Sequence, residues 1–278
     1  MRYNANNAEP QKMHMRRSRI AAILRSGQVA CCTKINTSDP RVVEIAAMSG
    51  VDGVWLDREH VPNSLHDIEN QVRAAKMFDV DAVVRVPRGS YSDLIIPFEM
   101  DAAAIMVPHV MSAADARQIV RHTRFHPIGR RPLDGGNADG AYCMVDGEDY
   151  IREANRERLV IVQIEDPEPM SELDEIAAME GIDVIFFGPG DFSQGAGVPF
   201  QMGHPDVQNA LRRVAEAARK HGKFAGTVAG YANMQERIDM GYQLLSVNAD
   251  VCILTEGFKH VAEAFSRHAK GPVERDIP

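Results

Sequence analysis

Eight short, almost unbroken apolar runs recur along this chain, and they limit its fold more than any other feature. They are VACCTKI (29–35), GVWLD (53–57), DAVVRVP (81–87), AAIMVPHV (103–110), LVIVQIE (159–165), DVIFFGPGD (183–191), KFAGTVAG (223–230) and QLLSVNAD (243–250). Continuous rather than alternating apolar character is what parallel strands covered on both faces require. Amphipathic stretches fill the gaps: RVVEIAAMSG, SLHDIENQVRAAKMF, SAADARQIVRHTRF, HPDVQNALRRVAEAARKHG and, after the last run, VCILTEGFKHVAEAFSRHA. Ser64 and Ser112 stand where helix N-caps belong, and Gly222 where a helix stops. Eight strand–helix units in about 250 residues predict a single (β/α)8 TIM barrel. A doubly wound sheet is the alternative, but the chain has no GxGxxG or GxxxxGK.

The 278 residues suffice for one such barrel. We expect residues 1–18, MRYNANNAEPQKMHMRRS, to be a flexible arm, and residues 19–278 to be the barrel with a C-terminal helix. The irregular stretch 126–147 is too long for a simple connector and reads as an active-site lid. A formal charge of −8 disfavours a nucleic-acid partner. No apolar run approaches the roughly 20 residues of a membrane helix, and no signal core follows the start, so a cytoplasmic protein without a membrane partner is expected. Cys31, Cys32, Cys143 and Cys252 form no CxxC pair and read as reduced thiols.

Barrel enzymes place their chemistry where strands end. The second run ends in Asp57, followed by Arg58, Glu59 and His60. The third carries Arg85 and the fourth His109. The fifth ends in Gln163-Ile164-Glu165, and the sixth in Gly188-Pro189-Gly190-Asp191. Glu165 and Asp191 end neighbouring strands, roughly 4.8 Å apart. Two carboxylates at one rim suit a hard divalent cation; the plainer alternative gives each a helix to cap or an arginine. No HExxH or three-His set points to zinc. Arg85 inside a strand either clamps a substrate oxygen or closes a salt bridge to Asp57 or Glu59. His60, oriented by Asp57, would accept protons near neutral pH; unaided it is a solvated loop histidine. GPGDFS (188–193) reads as a low-bulk turn whose backbone N–H groups can approach a carboxylate. No lysine in a strand core suits Schiff-base chemistry, Lys34 and Lys223 lying near strand starts or ends.

The segments VDGVWLDREHVPN (51–63), VVRVP (83–87), IMVPHV (105–110), IVQIE (161–165), GPGDFS and HPDVQNAL (204–211) together resemble the HpcH/HpaI aldolase family. These are class II aldolases of 4-hydroxy-2-oxoheptanedioate and 2-keto-3-deoxy acids. The resemblance spans about residues 20–265. It implies a barrel of the phosphoenolpyruvate/pyruvate-binding type that makes or breaks a 4-hydroxy-2-oxo acid through a pyruvate enolate, giving pyruvate and an aldehyde. It implies Glu165 and Asp191 as ligands of Mg2+ or Mn2+, with Co2+ an alternative. Arg85 would contact the keto oxygen, and His60 would be the acid/base with Asp57 as its orienting partner. The backbone at Gly190 and Asp191 would hold the substrate carboxylate, with Gln163 beside it. Arg131 would be a lid arginine, although Pro132 stands where the family usually has glycine. A hexamer built as a trimer of dimers is implied too, the last helix lying on a neighbour.

Trp55, His109 and GRRPLDGGNADGAY (129–142) are more similar to macrophomate synthase, a divergent relative that decarboxylates oxaloacetate. That likeness implies an oxaloacetate decarboxylase as the alternative, with Trp55 and His109 touching substrate. An acyl-CoA lyase of the malyl-CoA type is the further alternative, though the chain shows no clear basic cluster for CoA phosphates.

Overall fold

The computed structural model describes residues 12–268. Its strands are β1 (Ala30–Ile35), β2 (Gly53–Asp57), β3 (Asp81–Arg85), β4 (Ala104–Val107), β5 (Leu159–Ile164), β6 (Val184–Phe187), β7 (Phe224–Ala229) and β8 (Leu244–Ala249). They close in chain order into a barrel, every pair parallel and β8 returning to β1. The expected single (β/α)8 TIM barrel is the observed fold. The helices are α1 (Arg19–Arg25), α2 (Pro40–Met48), α3 (Leu65–Met77), α4 (Tyr91–Glu99), α5 (Ala113–Thr123), α6 (Gly147–Glu157), α7 (Leu173–Ala178), α8 (Pro189–Gly195), α9 (Pro205–Lys220), α10 (Met234–Asp239) and α11 (Asp250–His268). Ser64 and Ser112 cap α3 and α5 as expected. Several shorter helices carry weak signals: α4 contains Pro97, and α8 occupies the segment read as a turn.

The period of two along each strand sorts side chains between two cores. Outward residues such as Val54, Val84, Val162 and Ile185 pack beneath the surrounding helices. Inward residues Cys32, Trp55, Val83, Met106, Ile161, Phe186 and Leu244 fill the barrel, and Ile20, Ala21 and Leu24 of α1 close its lower end. A Cβ on Gly53 would lie 2.6 Å from Ile20 Cδ1, so only glycine lets that plug seat against β2.

The structure bears on three expectations about the periphery. Within residues 12–18, Met15, Arg16 and Ser18 are anchored, while Lys12, Met13, His14 and Arg17 are exposed. Met15 is buried, its N–H donates to Glu153, and Ser18 and Arg16 bond the buried Asp81 at 2.6 and 2.7 Å. Polar and basic residues read as an arm from composition, but acidic partners at the base of the barrel hold them; residues 1–11 lie outside the described residues. The stretch 126–147 is not a lid over its own site. It leaves the end of α5 and leads through α6 into β5, so it lies at the face where strands begin, opposite the rim where they end. There it packs Val145 with Phe125, Tyr150 and Met15. Finally, the last helix turns away from the barrel. Asp250 is buried, accepting from Asn36 N, Thr37 N and Thr37 Oγ1 at 2.7–2.9 Å. Beyond it, Val251, Leu254, Phe258, Val261 and Phe265 are all exposed, the last at 69%.

Candidate active site

Parallel register puts Asp57 and Arg85, the last residues of β2 and β3, side by side. Both point inward above Trp55, whose ring centroid lies 4.8 Å from the guanidinium carbon. Arg85 Nε and Nη2 donate to the two Asp57 oxygens at 2.9 and 2.5 Å, and Nη1 lies 2.8 Å from Glu59 Oε2. Asp57 also accepts from Glu59 N and meets Lys34 Nζ at 2.8 Å. Asp57 is wholly buried and Arg85 nearly so. Burial alone would raise the Asp57 pKa, but the bonds and charges of Arg85 and Lys34 outweigh it and hold the carboxyl well below the usual range.

A second carboxylate cluster adjoins this one. Glu165 follows β5, and its carboxylate accepts from His109 N at 2.9 Å and from the Gln163 amide. His109 adopts φ +46°, a left-handed turn after β4 that costs a side-chain-bearing residue about 1–3 kcal/mol and aims its N–H at Glu165. The His109 ring bonds Asp166 at 2.8 Å and lies 3.6 Å from Glu59. Burial disfavours the charged ring, yet Asp166, Glu165 and Glu59 together raise its pKa. Glu165 is pushed up to about 7, first by burial and further by the charges of Asp191 and Glu59. One ligand atom each from Glu59, His109 and Glu165 lies within 4.8 Å of the others. Glycine is required at the start of α8, because a Cβ on Gly188 would sit 2.6 Å from Glu165 Oε2.

A cavity of about 510 Å³ opens over these residues. Its lining includes Lys34, Trp55, His60, Arg85, Gln163, Gly190 and Asp191, together with Val228, Asn233 and Asn248. The sequence-derived set thus converges in part. Asp57 does not reach His60 as its orienting partner, because Arg85, Lys34 and the Glu59 N–H occupy its oxygens. The His60 side chain is 57% exposed and, among the described residues, its charged neighbour is Glu59, 3.6 Å away. Arg131 is not a substrate contact of this site. It is buried at the opposite face, bonded to Asp139 and Tyr150 and stacked on Phe125. His109 lies in the rim network rather than along the cavity wall. The salt bridge foreseen for Arg85 is present to both candidates at once. Sequence reasoning names Lys34 and Glu59 but assigns neither a place in the site. The two-residue period from Cys32 could have placed Lys34 inward, whereas nothing in the sequence points Glu59 back over the rim.

The pattern shared by the HpcH/HpaI aldolase/citrate lyase family matches residues 35–255. The 2-keto-3-deoxy-L-rhamnonate aldolase of Klebsiella pneumoniae is 32% identical over 243 residues, covering 87% of this chain and 90% of that protein. A solved HpcH/HpaI aldolase/citrate lyase family protein from Burkholderia cenocepacia is 30% identical with a TM-score of 0.83, covering 90% of this chain and 99% of its own. The crystal structure of macrophomate synthase is 25% identical with a TM-score of 0.79, covering 93% of both chains. The chain belongs to the HpcH/HpaI aldolase/citrate lyase family.

Proposed function

We propose that this protein is a class II aldolase, a carbon–carbon lyase that splits a 4-hydroxy-2-oxo acid into pyruvate and an aldehyde, or joins them. One observation carries the reading. Arg85, Glu165, Asp191 and His60 belong to one strand-end rim, where a guanidinium with free N–H groups shares a cavity with unneutralised carboxylate. The donor set fits a divalent cation: Glu165 is buried among other carboxylates without a strong cation of its own, and Glu59 Oε2 is buried without a hydrogen bond. Glu165 and Asp191 would hold Mg2+ or Mn2+, with Co2+ an alternative, and Glu59 and His109 stand next to Glu165. When bound, the ion polarises the keto oxygen and lowers the cost of enolate charge.

The chain's own residues do the rest. Of the five guanidinium N–H groups of Arg85, two donate to Asp57 and Nη1 meets Glu59 as an ion pair without a hydrogen bond, leaving Nη N–H groups to donate to the keto oxygen as it becomes an enolate. Trp55 and the Asp57 fork hold that orientation before substrate arrives. The Gly190–Asp191 backbone and Gln163 would orient the substrate carboxylate. In cleavage, His60 takes the proton of the C4 hydroxyl, the C3–C4 bond breaks, and its electrons pass into the C2 carbonyl.

Decarboxylation of oxaloacetate is the second reading, favoured by one observation. It needs the same enolate stabilisation but no hydroxyl base, and His60 lacks its carboxylate buttress here. Pyruvate release coupled to lactate dehydrogenase, run with a 4-hydroxy-2-oxo acid and with oxaloacetate, tests both. His60→Ala should slow aldol cleavage roughly 10²-fold and leave decarboxylation nearly intact. No pyruvate from either substrate, with Mg2+ or Mn2+ supplied, would defeat the proposal.

The oligomer we propose is a hexamer, a trimer of dimers in which α11 lies on a neighbouring copy. Its support is the α11 stripe, spaced at alternating three and four residues, which among the described residues is exposed along its length. We place the protein in the cytoplasm, in keeping with four free cysteines. Among the described residues no helix is long and apolar enough to cross a membrane.

A further inference from the structure

The geometry points to Lys34 as a positioning residue that acts through Asp57 to keep the positive field of Arg85 available to an anionic keto acid. This rests on the aldolase reading for the nature of the ligand. Arg85 is flanked by two carboxylates, Asp57 on its fork side and Glu59 at Nη1. One guanidinium between two carboxylates leaves a net negative patch. The carboxylates of Glu165 and Asp191 stand near the same cavity. Such a patch would repel the substrate carboxylate and offset the arginine's attraction for enolate charge.

Lys34 is the second cation that balances the set. Its Nζ is 2.8 Å from Asp57 Oδ2, the oxygen that also accepts from Arg85 Nη2. Asp57 is wholly buried, so protein cations rather than water must neutralise it. The Lys34 ammonium also lies 5.4 Å from the centroid of the Trp55 ring that supports Arg85. Among the described residues it meets no other carboxylate, and its side chain is 20% exposed along the cavity wall.

The test compares wild type, Lys34→Met and Lys34→Arg with Mg2+ present. The first readout is calorimetric binding of oxalate, a dianion shaped like pyruvate enolate. The second is deuterium exchange into the pyruvate methyl group, followed by NMR without any aldehyde. Lys34→Met should weaken oxalate and slow exchange, each about tenfold or more, while Lys34→Arg keeps most of both. Oxalate binding as tightly to Lys34→Met as to wild type, with only the aldehyde KM raised, would overturn the proposal in favour of an acceptor contact. Lys34→Arg binding as weakly as Lys34→Met would overturn it too. Oxalate binding needs no turnover, so a wild type that binds oxalate but cleaves nothing would defeat the aldolase reading and still decide the role of Lys34.

Discussion

At the base of the barrel, Arg158 meets Asp101, Arg124 meets Asp183 and Arg131 meets Asp139. Each guanidinium is also tied to a backbone carbonyl or a tyrosine hydroxyl. At the opposite rim, Asp57, Glu59, Glu165, Asp166 and Asp191 outnumber Lys34, Arg85 and His109. The lower pairs are discrete: each guanidinium closes onto its own carboxylate, and Lys76 adds a second cation to Asp101. The upper network is continuous, short of cations around Glu165, and left with free donors on Arg85. Buried charge at the base therefore serves docking and rigidity, whereas at the rim it is held ready for something that has yet to bind.

Four measurements would break or sharpen that contrast. Glu165→Gln should have the largest effect, lowering kcat/KM about 10³-fold or more. It should not lower stability at pH 8. Glu165 holds its proton up to about 7 in the folded state, against 4.5 for an ordinary glutamate. Its stabilising contribution is therefore complete below 4.5 and is lost as pH rises through 7. A large loss of Tm at pH 8 would make the rim structural after all. Asp101→Asn is the mirror experiment. It leaves Arg158 buried beside a neutral amide and should cost about 3–5 kcal/mol in urea unfolding, with kcat/KM of the folded enzyme within about twofold of wild type. A matching loss of activity would erase the distinction between the two ends. Arg85→Lys should cost about 10² in kcat/KM, because a point charge cannot bridge Asp57 and Glu59 and still face the substrate. Unchanged kinetics would remove the arginine from the chemistry. The smallest effect is on metal affinity, which should rise about tenfold per pH unit below 7 and level off above it, as Glu165 sheds its proton. Calorimetry at pH 6, 7 and 8 that shows no slope would mean Glu165 is not a ligand.

The sequence by itself determined the barrel. Continuous apolar runs of strand length need cover on both faces, and eight of them, separated by amphipathic stretches, leave one economical closure. It also determined which residues stand at strand ends, because the two-residue alternation carries Asp57, Arg85 and Gln163 inward wherever the strands fall. Tertiary structure decided their partners. Asp57 is three positions from His60 but answers Arg85 and Lys34, since strand register sets lateral neighbours and chain proximity does not. The length of 126–147 suggests a lid, yet the face on which a connector lies depends on whether it follows a strand or a helix. Short helices such as α4 and α8 escaped notice because packing, rather than intrinsic propensity, stabilises them. The direction of α11 was also beyond periodicity. Its apolar stripe shows that something must cover it, but the spacing is the same whether the cover is its own barrel or another chain.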